Sequence, residues 1–97
     1  MYNFKKGDQF LFRYYGDSKY IKDTLRVESI YEVIGFSDTH IRIVIVKNNY
    51  AWNPLWEETP GRDYEFFRNE FEAALEGTVD NKEIFPISAE EYPEYYI

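Results

Sequence analysis

The sequence predicts a mainly β chain with one helix in its second half, an α+β domain in which antiparallel strands form a small barrel or a curved sheet capped by that helix. Three observations lead there. β-Branched and aromatic runs alternate with a period of two through the first half. The connections between the central runs are short enough for antiparallel neighbours. A run at helical spacing then follows a turn at Thr59–Gly61 and stops at Gly77. With 97 residues there is room for one core. The reading is a single domain over 1–85, with a helix near 64–76, followed by an acidic aromatic tail over 86–97.

DQFLFRYY alternates, with Phe10, Phe12 and Tyr14 on one face and Leu11, Arg13 and Tyr15 on the other, which predicts a first strand. GDSKYIKDT is rich in turn formers and charge and predicts a long loop. SIYEVIGF and HIRIVIVK are β-branched runs parted by Ser37, Asp38 and Thr39, a hairpin pattern. The second run is apolar on nearly both faces, as a central strand is. Asn48-Asn49 predicts a tight turn, and Tyr50 and Trp52 a short fourth strand ended by Asn53-Pro54. Asp63 stands where a helix N-cap would, ahead of Tyr64, Phe67, Phe71, Ala74 and Leu75 at helical spacing, with Gly77 past the end. Glu65, Arg68 and Glu72 fall on the opposite helical face, suited to weak ion pairing. A last strand is predicted around Glu83–Phe85.

Composition narrows the chemistry. The chain has no cysteine, which removes disulfides, thiol nucleophiles and thiolate metal sites and points to the cytoplasm. Neither a signal peptide nor a membrane-spanning run is expected. The net charge of -7 is uneven: residues 1–49 carry eight basic and six acidic side chains, residues 50–97 three basic and twelve acidic. An acidic second half repels phosphates and attracts basic protein surfaces.

KKGDQFLF, the long loop, IYEVIGFSDTHIRIVIVKNN and FFRNEFE together resemble small SH3-like β-barrels of the KOW and Tudor kind, over roughly Lys5 to Glu72. The resemblance implies a binding module whose ligand meets loop tips or an aromatic groove. The chain departs from that pattern in its longer helix and in lacking a basic face in the second half. It is also similar in style to the small acidic, Tyr-rich accessory proteins of tailed bacteriophages, which implies a modulator acting in the host cytoplasm.

No catalytic residue, metal ligand or cofactor site is expected. His40 is the sole histidine and has no Ser or Cys partner at a recognisable spacing, so it reads as a strand-end residue beside Asp38. The adjacent carboxylates Glu57-Glu58 and Glu90-Glu91 point to opposite faces of an extended chain. The rings say more. Phe10, Phe12, Ile34, Phe36, Ile43, Ile45, Phe67 and Phe71 fill a small core, with Phe66 or Phe67 turning inward. Tyr14, Tyr15, Tyr20, Tyr50, Trp52, Trp56 and Tyr64 are then in surplus, and such rings mark interfaces.

The expected partner-binding surface is Trp52, Trp56, Glu57, Glu58, Asp63, Tyr64 and Glu65, with a tail contact through Glu90, Glu91, Tyr92, Tyr95 and Tyr96. The expected function is a non-enzymatic protein-binding module, a phage-encoded inhibitor or modulator that docks on a basic surface of a host or defence protein. There are three alternatives: a DNA mimic occupying a nucleic-acid enzyme through the acidic face, a nucleotide binder with an aromatic clamp, and nucleic-acid binding through a separate set, Lys5, Lys6, Lys19, Lys22 and Arg26.

Overall fold

The computed structural model describes residues 2–21, 23–53, 59–88, 90 and 93–94. The chain is mainly β, as its alternation predicts. Strands β1 (Gln9–Tyr14), β2 (Val27–Phe36), β3 (His40–Ala51) and β4 (Asp63–Phe67) are followed by helix α1 (Arg68–Glu76) and strand β5 (Lys82–Ile87). All pairings are antiparallel, and the sheet order is β4-β3-β2-β1-β5. The first four strands form a meander. α1 then crosses one face of the sheet so that β5 can pair with β1, Gln9 lying opposite Ile87.

The inner face, beneath α1, carries the main core. Phe10, Tyr31, Ile41, Ile43 and Ile45 are fully buried there, with Phe71 and Ala74 of the helix pressed onto them. Phe10 and Phe71 meet edge to face at 5.5 Å, and Phe12 stacks on Tyr31 at 4.8 Å. Phe4, from the segment before β1, fills the end of this core against both Phe10 and Phe71. The outer face has a smaller cluster of Leu11, Ile30 and Ile87. The two-sided apolar character read from the sequence is thus real for β1 and β2 as well as β3.

Three expectations are corrected. Asn48-Asn49 makes no turn; β3 runs on to Ala51, and these residues sit at an irregularity where the register to β2 slips between Glu28 and Ser29. The Asn48 amide donates to Ser29 Oγ and the Glu28 carbonyl, and the Asn49 amide to the Glu28 carboxylate, so the asparagines satisfy a bulge rather than a reversal. The helix does not begin at Asp63. Residues 63–67 form β4 and α1 starts at Arg68, because DYEFF alternates, with Tyr64 and Phe66 inward, and pairs with β3. Gly77 does end the helix, in the left-handed conformation at φ 80°.

The third correction concerns the core. Ile34, Phe36 and Phe67 were expected inside, and all three are exposed. Tyr31 and Val33 take the inner face; between Val33 and Gly35 the β2–β3 register slips, leaving Ile34 extra on β2 and setting Phe36 opposite Ile41 at the strand end, beside Phe4 and Arg68 yet 45% exposed. Phe67 lies outward because it belongs to a strand of period two, and Phe66 is the ring that turns in.

Candidate functional site

Three exposed apolar groups, Ile34, Phe36 and Phe67, lie near where β2 turns into β3, while Tyr20, Ile21, Tyr50 and Trp52 are exposed elsewhere. Ser37 shapes this turn: its Oγ accepts the N–H groups of Thr39 and His40, at 3.3 and 3.1 Å. Just before it, Gly35 leaves a notch in the outer face. A Cβ built there would meet nothing within 4 Å, and its φ is not positive, so neither packing nor backbone requires glycine. The notch opens into a depression of about 200 Å³ lined by Gly35, Phe36, Ser37, His40, Arg42 and Glu65. Phe67 stands beside it, its ring 5.1 Å from the His40 imidazole, and is 57% exposed.

The charges around the depression come from β3 and β4. Arg42 lies opposite Glu65 in the register and pairs with Asp63 at 3.0 Å. Glu65 makes no ion pair among the described residues and stays exposed. Both partners of the Arg42–Asp63 pair are about half exposed, so water screens it and it contributes little to stability. It fixes which way two charges point, and with Glu65 the rim of the depression is net acidic.

Of the residues the sequence singled out, Asp63 and Glu65 lie on this surface. Tyr64 alternates to the inner face, half-buried, with the Arg62 guanidinium 5.2 Å from its ring. Trp52 is 58% exposed, but it lies just past the far end of β3, with the Arg26 guanidinium 4.9 Å from its ring. In the register Asp63 faces Val44, so eight positions of β3 separate it from Trp52, roughly 25 Å of extended strand. The structure does not bring these two groups together. Trp56, Glu57 and Glu58, and the tail residues Glu91, Tyr92, Tyr95 and Tyr96, lie outside the described residues; Glu90 is described and exposed. Ile34 and Phe36 were missed as surface groups because the even positions of β2 were taken as inward, and Phe67 because its run was read at helical spacing. Gly35 was the available signal, since a glycine inside a β-branched run marks a bulge or a close approach.

The basic residues are divided. Lys5 and Lys6 precede β1, whereas Lys19 and Arg26 lie past its other end. Lys19 Nζ donates to the Gly77 carbonyl at 2.7 Å, capping α1, and Arg26 stacks on Trp52; Lys22 is outside the described residues. On the outer face Arg13 lies between Glu28 at 2.8 Å and Glu83 at 3.2 Å. Burial alone would lower the Arg13 pKa, but hydrogen bonds to both carboxylates outweigh it and raise the pKa, keeping the guanidinium charged. Burial, then the neighbouring Glu83 charge, raises the pKa of the Tyr15 phenol, which donates to the same carboxylate.

Among the described residues no group of three or more His, Asp or Glu side chains is placed to hold a metal ion, and no helix is long and apolar enough to cross a membrane. No protein-family model, curated protein or solved structure matches this chain.

Proposed function

We propose that this chain is a non-enzymatic protein-binding module that docks a basic partner through the end of the sheet formed by the β2–β3 turn and β4. One observation carries the reading. Phe36 and Phe67 are 45% and 57% exposed, Phe36 and Glu65 line the depression beside Gly35, Phe67 stands against its His40, and Asp63 pairs with its Arg42. Holding large rings in water forgoes burial worth about 1.5–3 kcal/mol per side chain, and such rings in a charged frame are how interfaces concentrate affinity. The acidic second half of the chain adds long-range attraction for a positive surface. In the setting that the likeness to phage accessory proteins implies, that surface belongs to a host or defence protein.

The reading moves the centre of the expected surface from the tryptophans to Phe67 and its neighbours. Of the two β4 carboxylates beside exposed Phe67, Asp63 is already paired with Arg42. That pairing favours an apolar dock with an acidic rim over a row of free charges imitating DNA.

Affinity capture with the native chain, followed by mass spectrometry, tests it against three variants. Phe67→Ser and Gly35→Val, the second filling the notch, are expected to lose the specific partner while retaining the native circular dichroism spectrum. The Trp52→Ala, Trp56→Ala pair is expected to keep it. Capture that survives the first two and fails with the tryptophan pair would place the dock at the other end of β3.

A further inference from the structure

The sheet has two edges, and they are built differently. Tyr15 N–H donates to the Asn81 carbonyl at 2.8 Å, so in this register Glu83, Phe85 and Ile87 exchange hydrogen bonds with β1, while Lys82, Ile84 and Pro86 turn their backbone outward. Pro86 has no N–H to offer there. α1 also lies alongside, with Ala74 and Leu75 forming a groove with Ile84 and Pro86. This edge is closed to a further strand in the way natural sheets close edges.

β4 lacks these devices. Ile45 N–H donates to Arg62 O and Arg68 N–H to Thr39 O, both at 2.8 Å, on a constant register. Arg62, Tyr64 and Phe66 therefore bond to β3, and Asp63, Glu65 and Phe67 direct their N–H and C=O groups to the open side. All three residues are exposed, and among the described residues no strand lies beyond them. Their side chains share the outer face, giving the order acid, acid, aromatic.

We propose that β4 accepts an extended basic segment of the partner as a sixth, antiparallel strand, with Lys or Arg opposite Asp63 and Glu65 and an apolar residue opposite Phe67. Main-chain bonds supply the docking and the alternate side chains supply the choice. A second copy of this chain is the wrong occupant: two-fold antiparallel pairing of β4 about Glu65 sets Glu65 against Glu65 and Asp63 against Phe67, and like charges directly opposite destabilise. A basic strand instead meets Glu65, which has no ion pair among the described residues, and competes with Arg42 for Asp63.

The inference rests on the protein-binding reading and is separable from it. The probe is the acetylated, amidated peptide Thr-Val-Thr-Lys-Thr-Lys-Thr, titrated into the full chain while amide exchange and chemical shifts are followed by NMR. Slowed exchange at Asp63, Glu65 and Phe67, with β5 unchanged, is the expected result. Glu65→Lys is expected to weaken this peptide by about tenfold and to favour its Glu-for-Lys counterpart. Glu65→Pro removes the outward N–H while sparing every bond to β3, and is expected to abolish binding; should it not fold, the charge reversal decides alone. No binding at about 1 mM peptide, binding without protection of those three amides, or self-association through β4 would each overturn the inference. If capture of a partner through Phe67 persists in any of those cases, the docking function stands and the added strand falls.

Discussion

Arg68 shows how much one side chain can hold together. It is the second residue of a predicted ion-pairing face, yet it is buried, 7% exposed. Its guanidinium donates to the Ser37 carbonyl at 2.8 Å, the Tyr2 carbonyl at 2.7 Å and Glu72 at 3.2 Å, and lies 5.0 Å from the Phe4 ring. Glu72 in turn accepts the Tyr2 N–H at 2.7 Å. One fork thus ties the start of α1 to the β2–β3 turn and to the N-terminal segment. Arg68→Ala leaves two carbonyls and a carboxylate without this donor and is expected to cost about 3–5 kcal/mol, measured by urea unfolding. Arg68→Lys recovers little of it, since an ammonium lacks the planar fork that serves separated acceptors. Glu72 makes the same knot pH-sensitive. The Tyr2 N–H, then Arg68, hold its pKa below the ordinary 4.5, with burial opposing them. A depressed folded pKa means that the contribution is complete above the ordinary value and is lost as pH falls through the folded one. Glu72→Gln is therefore expected to be less stable than the native chain at neutral pH and to converge with it in acid. A constant gap from pH 7 down to pH 3 would show that Glu72 acts through shape alone.

At the scale of elements, the junction of β4 with α1 decides what is seen on the surface. DYEFFRNEFEAALEG satisfies a helical template across its length, and the true boundary appears only when β3 is present to pair with its first part. Tertiary pairing overrides local spacing here, because as a strand this segment pairs with β3 and turns Tyr64 and Phe66 onto the inner core. The apolar residues after Arg68 obey the helical reading: Phe71 and Ala74 are buried, and Gly77 caps the end. The β2–β3 hairpin was legible for a different reason, since its two β-branched runs are parted by only three turn-forming residues. Of the bulges only the one at Gly35 left a mark, and Asn48-Asn49 at another imitated a turn; an inserted residue flips every later side chain. For the site this meant that Asp63 and Glu65 could be read from charge, whereas Phe36 was hidden by the bulge and Phe67 by the helical spacing of its run. The pairing of β4 makes its own prediction. In native-state hydrogen exchange Tyr64 and Phe66 amides, bonded to β3, are expected to be protected, while Asp63, Glu65 and Phe67 exchange freely. Protection of all five in the isolated chain would mean that the edge is already covered.

For the whole molecule, the order β4-β3-β2-β1-β5 sets the first and last strands side by side, so the sheet is complete only when residues 9 and 87 meet. The β2–β3 hairpin needs only the Ser37–Thr39 connection, and its inner-face residues Ile41, Ile43 and Ile45 already contact Tyr31 and Val33 in the same unit. Closing the larger loop costs chain entropy before β5 returns any contact. The expected path is a hairpin-centred nucleus that recruits β1, with α1 and β5 docking afterwards, and folding on the millisecond-to-second scale of sheets built from non-local pairs. Two conservative truncations separate the steps. Ile43→Val, in β3, and Ile84→Val, in β5, both lie in the inner core and are each expected to cost about 0.5–1.5 kcal/mol. In stopped-flow experiments followed by tryptophan fluorescence, the first is expected to slow folding and the second chiefly to speed unfolding. Equal partitioning of the two would place β5 in the nucleus. The β4 edge and the acidic surface would then form on a sheet already closed at β1 and β5, leaving no interval in which the incomplete sheet exposes its inner face.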